Sequence, residues 1–143
     1  MSEVEQLSNP TPKDIADILN LFRTIPGRTC SAANYLEYLD KNWQDIAFFV
    51  CRDEWGTIIG FTQAVRPSLL EPKIGWLPFS SLKPLKSHQT AQDALQMAER
   101  WLGAYGATSV RMTSVRASRA LERTFGWKLS KERLYEKEIT HAV

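Results

Sequence analysis

Apolar side chains return every three or four residues early in the chain: Ile15, Ile18, Leu19 and Phe22 fall on one face. Thr11, Pro12 and Asp14 stand just ahead of them, a cap hydroxyl, a first-turn proline and an acid three residues on, so a helix is predicted to start there. Pro26 and Gly27 end it. A second helix is predicted from Ser31, with Tyr35, Tyr38 and Leu39 on one side and Trp43 one turn further along. The period then changes. Ala47, Phe48, Phe49, Val50 and Cys51 make a short apolar run, residues 53–56 supply a turn, and residues 57–65 are rich in β-branched and aromatic side chains, the pattern of an antiparallel hairpin. Pro67 and Pro72 bracket a loop. Beyond it Ile74, Trp76 and Phe79 predict a strand, which Pro78 must bulge or end because proline has no N–H for a central ladder.

From residue 90 to 105 the spacing is helical again, with Ala91, Ala94, Leu95, Ala98, Leu102 and Tyr105 in one stripe and Gly106 where a C-terminal cap wants positive φ. Val110 and Met112 alternate with Arg111 and Thr113 as a half-buried strand. Ala117, Ala120, Leu121 and Thr124 share one side of a short helix stopped by Gly126, and residues 127–129 and 133–139 predict a final hairpin or strand. With a weak leading strand at residues 4–7, the order is β-α-α-β-β-β-α-β-α-β. Antiparallel pairing precedes a β-α-β crossover, so the expected class is α/β (α+β): a mixed, mostly antiparallel central sheet flanked by helices.

Length sets the scale. At 143 residues the chain suits one domain spanning 1–143. A formal net charge of +2 creates no field that would imply nucleic acid or a membrane surface, and neither is expected as a partner. Arg111, Arg116, Arg119, Arg123, Lys128, Lys131 and Arg133 make the second half locally basic, but Glu122, Glu132, Glu136 and Glu138 interleave with them, as on a solvated face. Cys30 and Cys51, the two cysteines, have neither metal-knuckle nor redox-pair spacing and are expected as reduced thiols, and no metal site is expected. Residues 1–6 carry no signal-type apolar core and no segment approaches the ~20 apolar residues of a membrane span, which makes a cytoplasmic location the default expectation.

Two segments carry a resemblance. Lys86-Ser87-His88-Gln89-Thr90-Ala91, followed by Ala94, Leu95, Ala98, Trp101, Leu102 and Gly106-Ala107, resembles the R/Q-x-x-G-x-G/A loop, long helix and small-residue turn of the GNAT (general-control-type N-acetyltransferase) superfamily. Residues 115–127, ending in Thr124-Phe125-Gly126-Trp127, resemble that family's N-x-x-A-x-x-F-Y-x-x-x-G-F segment. Gly126 and Trp127 hold its Gly and aromatic positions and Leu121 the apolar one, while Val115, Ser118 and Glu122 stand where Asn, Ala and Tyr are usual.

The resemblance implies the acyl-CoA N-acyltransferase fold, acetyl-CoA as cofactor and an amine-bearing acceptor. It places the cofactor's diphosphate at residues 86–91, where successive N–H groups at a helix N-terminus and the helix dipole favour an anion. Lys86 adds charge, Ala91 keeps a small position, and Ser87, His88, Gln89 and Thr90 complete the loop; Ser81 and its backbone are the expected partners of the pantetheine arm. Gln89 replaces the first Gly. A left-handed conformation there would cost roughly 1 to 2 kcal/mol and weaken binding about tenfold. The same stretch also reads as a polar helix start capped by Ser87 or Thr90.

For the chemistry, an amine must arrive unprotonated and the departing thiolate must gain a proton. Glu71, ahead of the fourth strand, is the first candidate base, and Glu122 occupies the slot of the family's acid, although a carboxyl of pKa ~4.3 needs a large upward shift to donate at neutral pH. As structural residues, Glu71 is a solvated loop acid and Glu122 an exposed helix residue beside Arg119. Tyr35, Tyr38 and Trp43 either wall the acceptor pocket or belong to the core. Because Gln89, Val115 and Glu122 all stand at chemistry-bearing slots, the alternative to a transferase is a catalytically inactive GNAT-like binding domain. The open edge of the last strand offers a homodimer contact.

Overall fold

Side chains that alternate across a strand need a core on each side, and residues 46–50 find both: Ile46, Phe48 and Val50 enter one cluster, Ala47 and Phe49 another. The computed structural model describes residues 3–28, 30–82 and 88–112, with His88 as backbone only. Along these run β1 (Val4–Gln6), α1 (Pro12–Phe22), α2 (Ala32–Asn42), a 3-10 turn (Trp43–Asp45), β2 (Ile46–Arg52), β3 (Ile58–Val65), β4 (Ile74–Ser81), α3 (His88–Ala104) and β5 (Ser109–Met112). The strands pair in the order β1-β2-β3-β4-β5, antiparallel from β1 to β4 and parallel between β4 and β5. The element order agrees with the sequence pattern over these residues. The helix and strands expected within 117–139 lie outside the described residues.

Ile18 and Phe22 of α1 and Tyr35 and Leu39 of α2 cover one face of the sheet, while Ala94, Leu95, Ala98 and Leu102 of α3 cover the other. Local chemistry fixes the start of α1 and the end of α3. Thr11 Oγ1 accepts from Asp14 N at 3.1 Å and the Asp14 carboxylate accepts from Thr11 N at 3.0 Å, a reciprocal capping box. α3 closes with Ala107 N on Leu102 O and Gly106 N on Gly103 O, and Gly106 takes φ 95°, which a side chain would resist. Gly75 lets α3 sit close on β4, since a Cβ there would lie 2.7 Å from Leu102 Cδ1.

β4 carries the irregularity that Pro78 demands. Gln63 pairs with Phe79 and Val65 with Trp76, so Leu77 and Pro78 together oppose Ala64 alone. The extra residue is a β-bulge, and the missing N–H falls where the ladder is already interrupted.

Candidate functional site

A parallel strand pair joined by a helix presents its carboxyl ends and the helix N-terminus to the same side, the usual place for an anionic ligand in an open sheet. Here that pair is β4 and β5, joined through α3. Register locates the helix start. Thr90 Oγ1 lies 3.4 Å from Glu3 Oε2, and Val4 pairs with Cys51, Cys51 with Gly60, and Phe61 with Ser81. Thr90 and Ser81 therefore share one end of the sheet. Ser81 is buried there, and Ser80 next to it shares a 2.6 Å hydrogen bond with the Thr62 hydroxyl.

The first turn of α3 contains no acid. Ala91 is buried against the sheet and Thr90 is buried beside it. Gln89 is exposed, and its side-chain amide donates to Asp93 Oδ1 at 2.8 Å, one turn further into the helix. The left-handed backbone expected at Gln89 is not adopted. The residue lies within α3, and positive φ among the described residues belongs to Gly27, Gly56 and Gly106. The strain argument against it is thereby removed, because a helix takes any residue at ordinary φ. Lys86 and Ser87 lie outside the described residues, as does Glu122.

On the opposite face of β4 stands an aromatic group. Phe22 stacks on Tyr35 with ring centroids 4.0 Å apart, Tyr35 on Tyr38 at 6.2 Å, and Phe79 meets Phe22 and Tyr35 edge-on at 5.1 Å each. Tyr35 is core, Tyr38 is half-buried, and Trp43 packs on Phe48. Burial raises the Tyr35 hydroxyl pKa far above the usual range and raises that of Tyr38 as well, so both keep their protons at neutral pH. Gln63, between the two tyrosines, was not anticipated. The signal was available in the sequence: a lone amide between Phe61 and Val65 on the inward positions of a strand.

Glu71 is elsewhere. Lys73 O accepts from Thr108 N and Ser109 N just past α3, and Leu102 rests on Gly75, so the loop holding Glu71 meets the C-terminal end of that helix. The 17 residues of α3 separate the two ends by about 24 Å. Glu71 Oε2 is 3.7 Å from Arg111 Nη1, and the Arg111 guanidinium lies 5.9 Å from the Trp76 ring. The structure thus gathers Ser81, Thr90 and Ala91 at one end of the sheet and leaves Glu71 at the other.

No family model and no curated protein matches the sequence, so the likeness to known proteins is one of structure. The aminoglycoside N-acetyltransferase AAC(6')-Iy in complex with CoA superposes with a TM-score of 0.71 at 15% identity, over 94% of this chain and 93% of that one. The chain has the GNAT N-acyltransferase fold. Two further GNAT-fold neighbours frame its range: glucosamine-6-phosphate N-acetyltransferase from Arabidopsis thaliana, with TM-score 0.64, 12% identity and coverage of 94% and 97%, and a transcriptional regulator from Bacillus halodurans, with TM-score 0.70, 13% identity and coverage of 94% and 99%. The GNAT fold is thus shared by proteins named for different functions, and the site must argue for activity.

Proposed function

We propose that this chain is an acetyl-CoA-dependent N-acetyltransferase acting on an amine. The observation that carries the reading is the α3 N-terminus at the carboxyl end of β4, free of acids in its first turn and with the Gln89 side chain drawn off to Asp93. A helix start beside the carboxyl end of a parallel strand offers its backbone N–H groups and dipole to an anion, and α3 stands in that position. CoA held by a neighbour of the same fold supports the same cofactor class.

When bound, acetyl-CoA supplies a thioester-activated acetyl group. The chain's own contribution is to hold and to orient: residues 86–91 offer backbone amides and the Lys86 charge to a diphosphate, and β4 around Ser81 offers hydrogen bonds to the arm. Gln89 in helical conformation adds bulk only on the exposed side. The aromatic face formed by Phe22, Tyr35, Tyr38 and Phe79 borders the acceptor. A bound near-attack arrangement replaces much of the bimolecular cost, so positioning alone accounts for a large share of the rate. Glu122 remains the carboxylate proposed for proton transfer, and Glu71, at the far end of the sheet beside Arg111, is proposed as a solvated loop acid.

The test is a calorimetric titration of the full chain with acetyl-CoA, followed by thiol release with neamine, glucosamine 6-phosphate and a peptide with a free N-terminus. Saturable heat and release with at least one amine are expected. Absence of heat at millimolar acetyl-CoA with folded protein rules the reading out. Binding without release favours the second reading, an inactive GNAT-like binding domain, which the residues at positions 89, 115 and 122 motivate.

A further inference from the structure

Gln63 on β3 is fully buried on a face otherwise built from Phe61, Val65 and the aromatic rings. A primary amide has an acceptor oxygen and two N–H donors, and leaving either end unpaired in a core is costly. Both ends are paired: Tyr35 Oη donates to Gln63 Oε1 at 2.5 Å, and Gln63 Nε2 donates to Tyr38 Oη at 3.3 Å.

The inner partner fixes the direction of this relay. Tyr35 is 1% exposed, between Phe22 and Phe79, and the Gln63 oxygen is where its buried hydroxyl proton goes. Reversing the amide would take that acceptor away. With the oxygen turned to Tyr35, the NH2 group faces Tyr38, whose oxygen accepts, and the Tyr38 proton points away from Gln63. The relay is closed at its buried end. At its half-buried end it presents a donor of set direction.

Position gives that donor a use. Gln63 is the register partner of Phe79, the first residue after the β4 bulge, so the relay lies on the α2 side of the sheet, beside the bulge and against the aromatic face. We infer that Tyr38 is a positioning residue for the acceptor, its hydroxyl donating a hydrogen bond to an oxygen on the amine-bearing substrate and so favouring amines that carry a neighbouring hydroxyl, carbonyl or carboxylate. This rests on the transferase reading. A core that needed only packing would place Leu or Met at position 63, and a closed polar pair would leave no donor over.

Tyr38→Phe keeps the ring and removes the donor. With whichever of neamine, glucosamine 6-phosphate or the free N-terminus peptide the unaltered protein acetylates, the variant should raise the amine KM about tenfold, the loss of one hydrogen bond, with kcat within about twofold. Its affinity for acetyl-CoA by calorimetry should stay unchanged. Tyr35→Phe, which releases the amide from its fixed orientation while sparing the Tyr38 hydroxyl, should raise the same KM by a smaller factor. An unchanged amine KM in Tyr38→Phe, or a fall in kcat and acetyl-CoA affinity together, overturns the inference and leaves the transferase standing. Bound acetyl-CoA with none of the three amines acetylated overturns it while the cofactor reading survives, and no heat with acetyl-CoA ends both.

Discussion

At Glu71 the carboxylate meets a guanidinium across 3.7 Å on a rim where the acid side chain is 45% exposed. Such a pair contributes at most about 1 kcal/mol, and Arg111 also lies over Trp76. Glu71→Gln should therefore cost little stability and leave turnover within about threefold; a hundredfold fall in kcat with an altered pH profile would instead establish Glu71 as the base. Sequence reasoning nominated the residue from its place ahead of β4, which the structure keeps, but a strand and a helix of opposite direction put the two ends of β4 far apart. Spacing along a chain does not report which end of a sheet a loop joins. Gln63 shows the converse: its identity was plain in the sequence, yet its meaning depends on Tyr35 and Tyr38 arriving from a helix 25 to 28 residues away.

Among the elements, those with their own punctuation were the most legible. α1 has its capping box, α3 its glycine stop, and Pro78 marks a bulge whose register only the fold reveals. The start of α3 was harder, because the same polar residues suit a loop or a first helical turn, and tertiary packing of Ala91 and Ala94 on the sheet decides for the helix at His88. A helical Gln89 leaves no left-handed strain for a Gln89→Gly substitution to relieve. Glycine in a helix costs about 0.5 to 1 kcal/mol relative to alanine and here also removes the bond to Asp93, so a lowered melting temperature is expected with the acetyl-CoA Kd within about threefold. A gain in affinity of tenfold or more would mean that the side chain obstructs the diphosphate after all.

Across the whole molecule, one cation ties the early elements to the sheet. Arg52 Nε donates to Glu5 Oε1 at 2.6 Å, and its Nη1 donates to Asp14 Oδ1 at 2.7 Å and to Gly56 O at 3.0 Å, joining β1, β2, α1 and the β2–β3 turn. Asp14 is 5% exposed, and its hydrogen bond from Arg52, reinforced by the backbone bond from Thr11 against the cost of burial, holds its pKa near 2 instead of 3.8. A depressed carboxylate stabilises the fold fully above the unfolded value and loses that contribution as pH falls through the folded one. The loss should thus occupy the interval from about pH 4 down to about pH 2. Asp14→Asn keeps an oxygen for Thr11 N but removes the charge, and at neutral pH it should cost about 1 to 2 kcal/mol, less than the full shift would give because the Glu5 end of the network is open to solvent. Urea midpoints of both proteins at pH 7, 4 and 2.5 provide the check, with the gap between them closing on the acid side. A gap that stays constant down to pH 2.5 would show that Asp14 acts through shape alone, and the Arg52 clasp would then owe nothing to its charge.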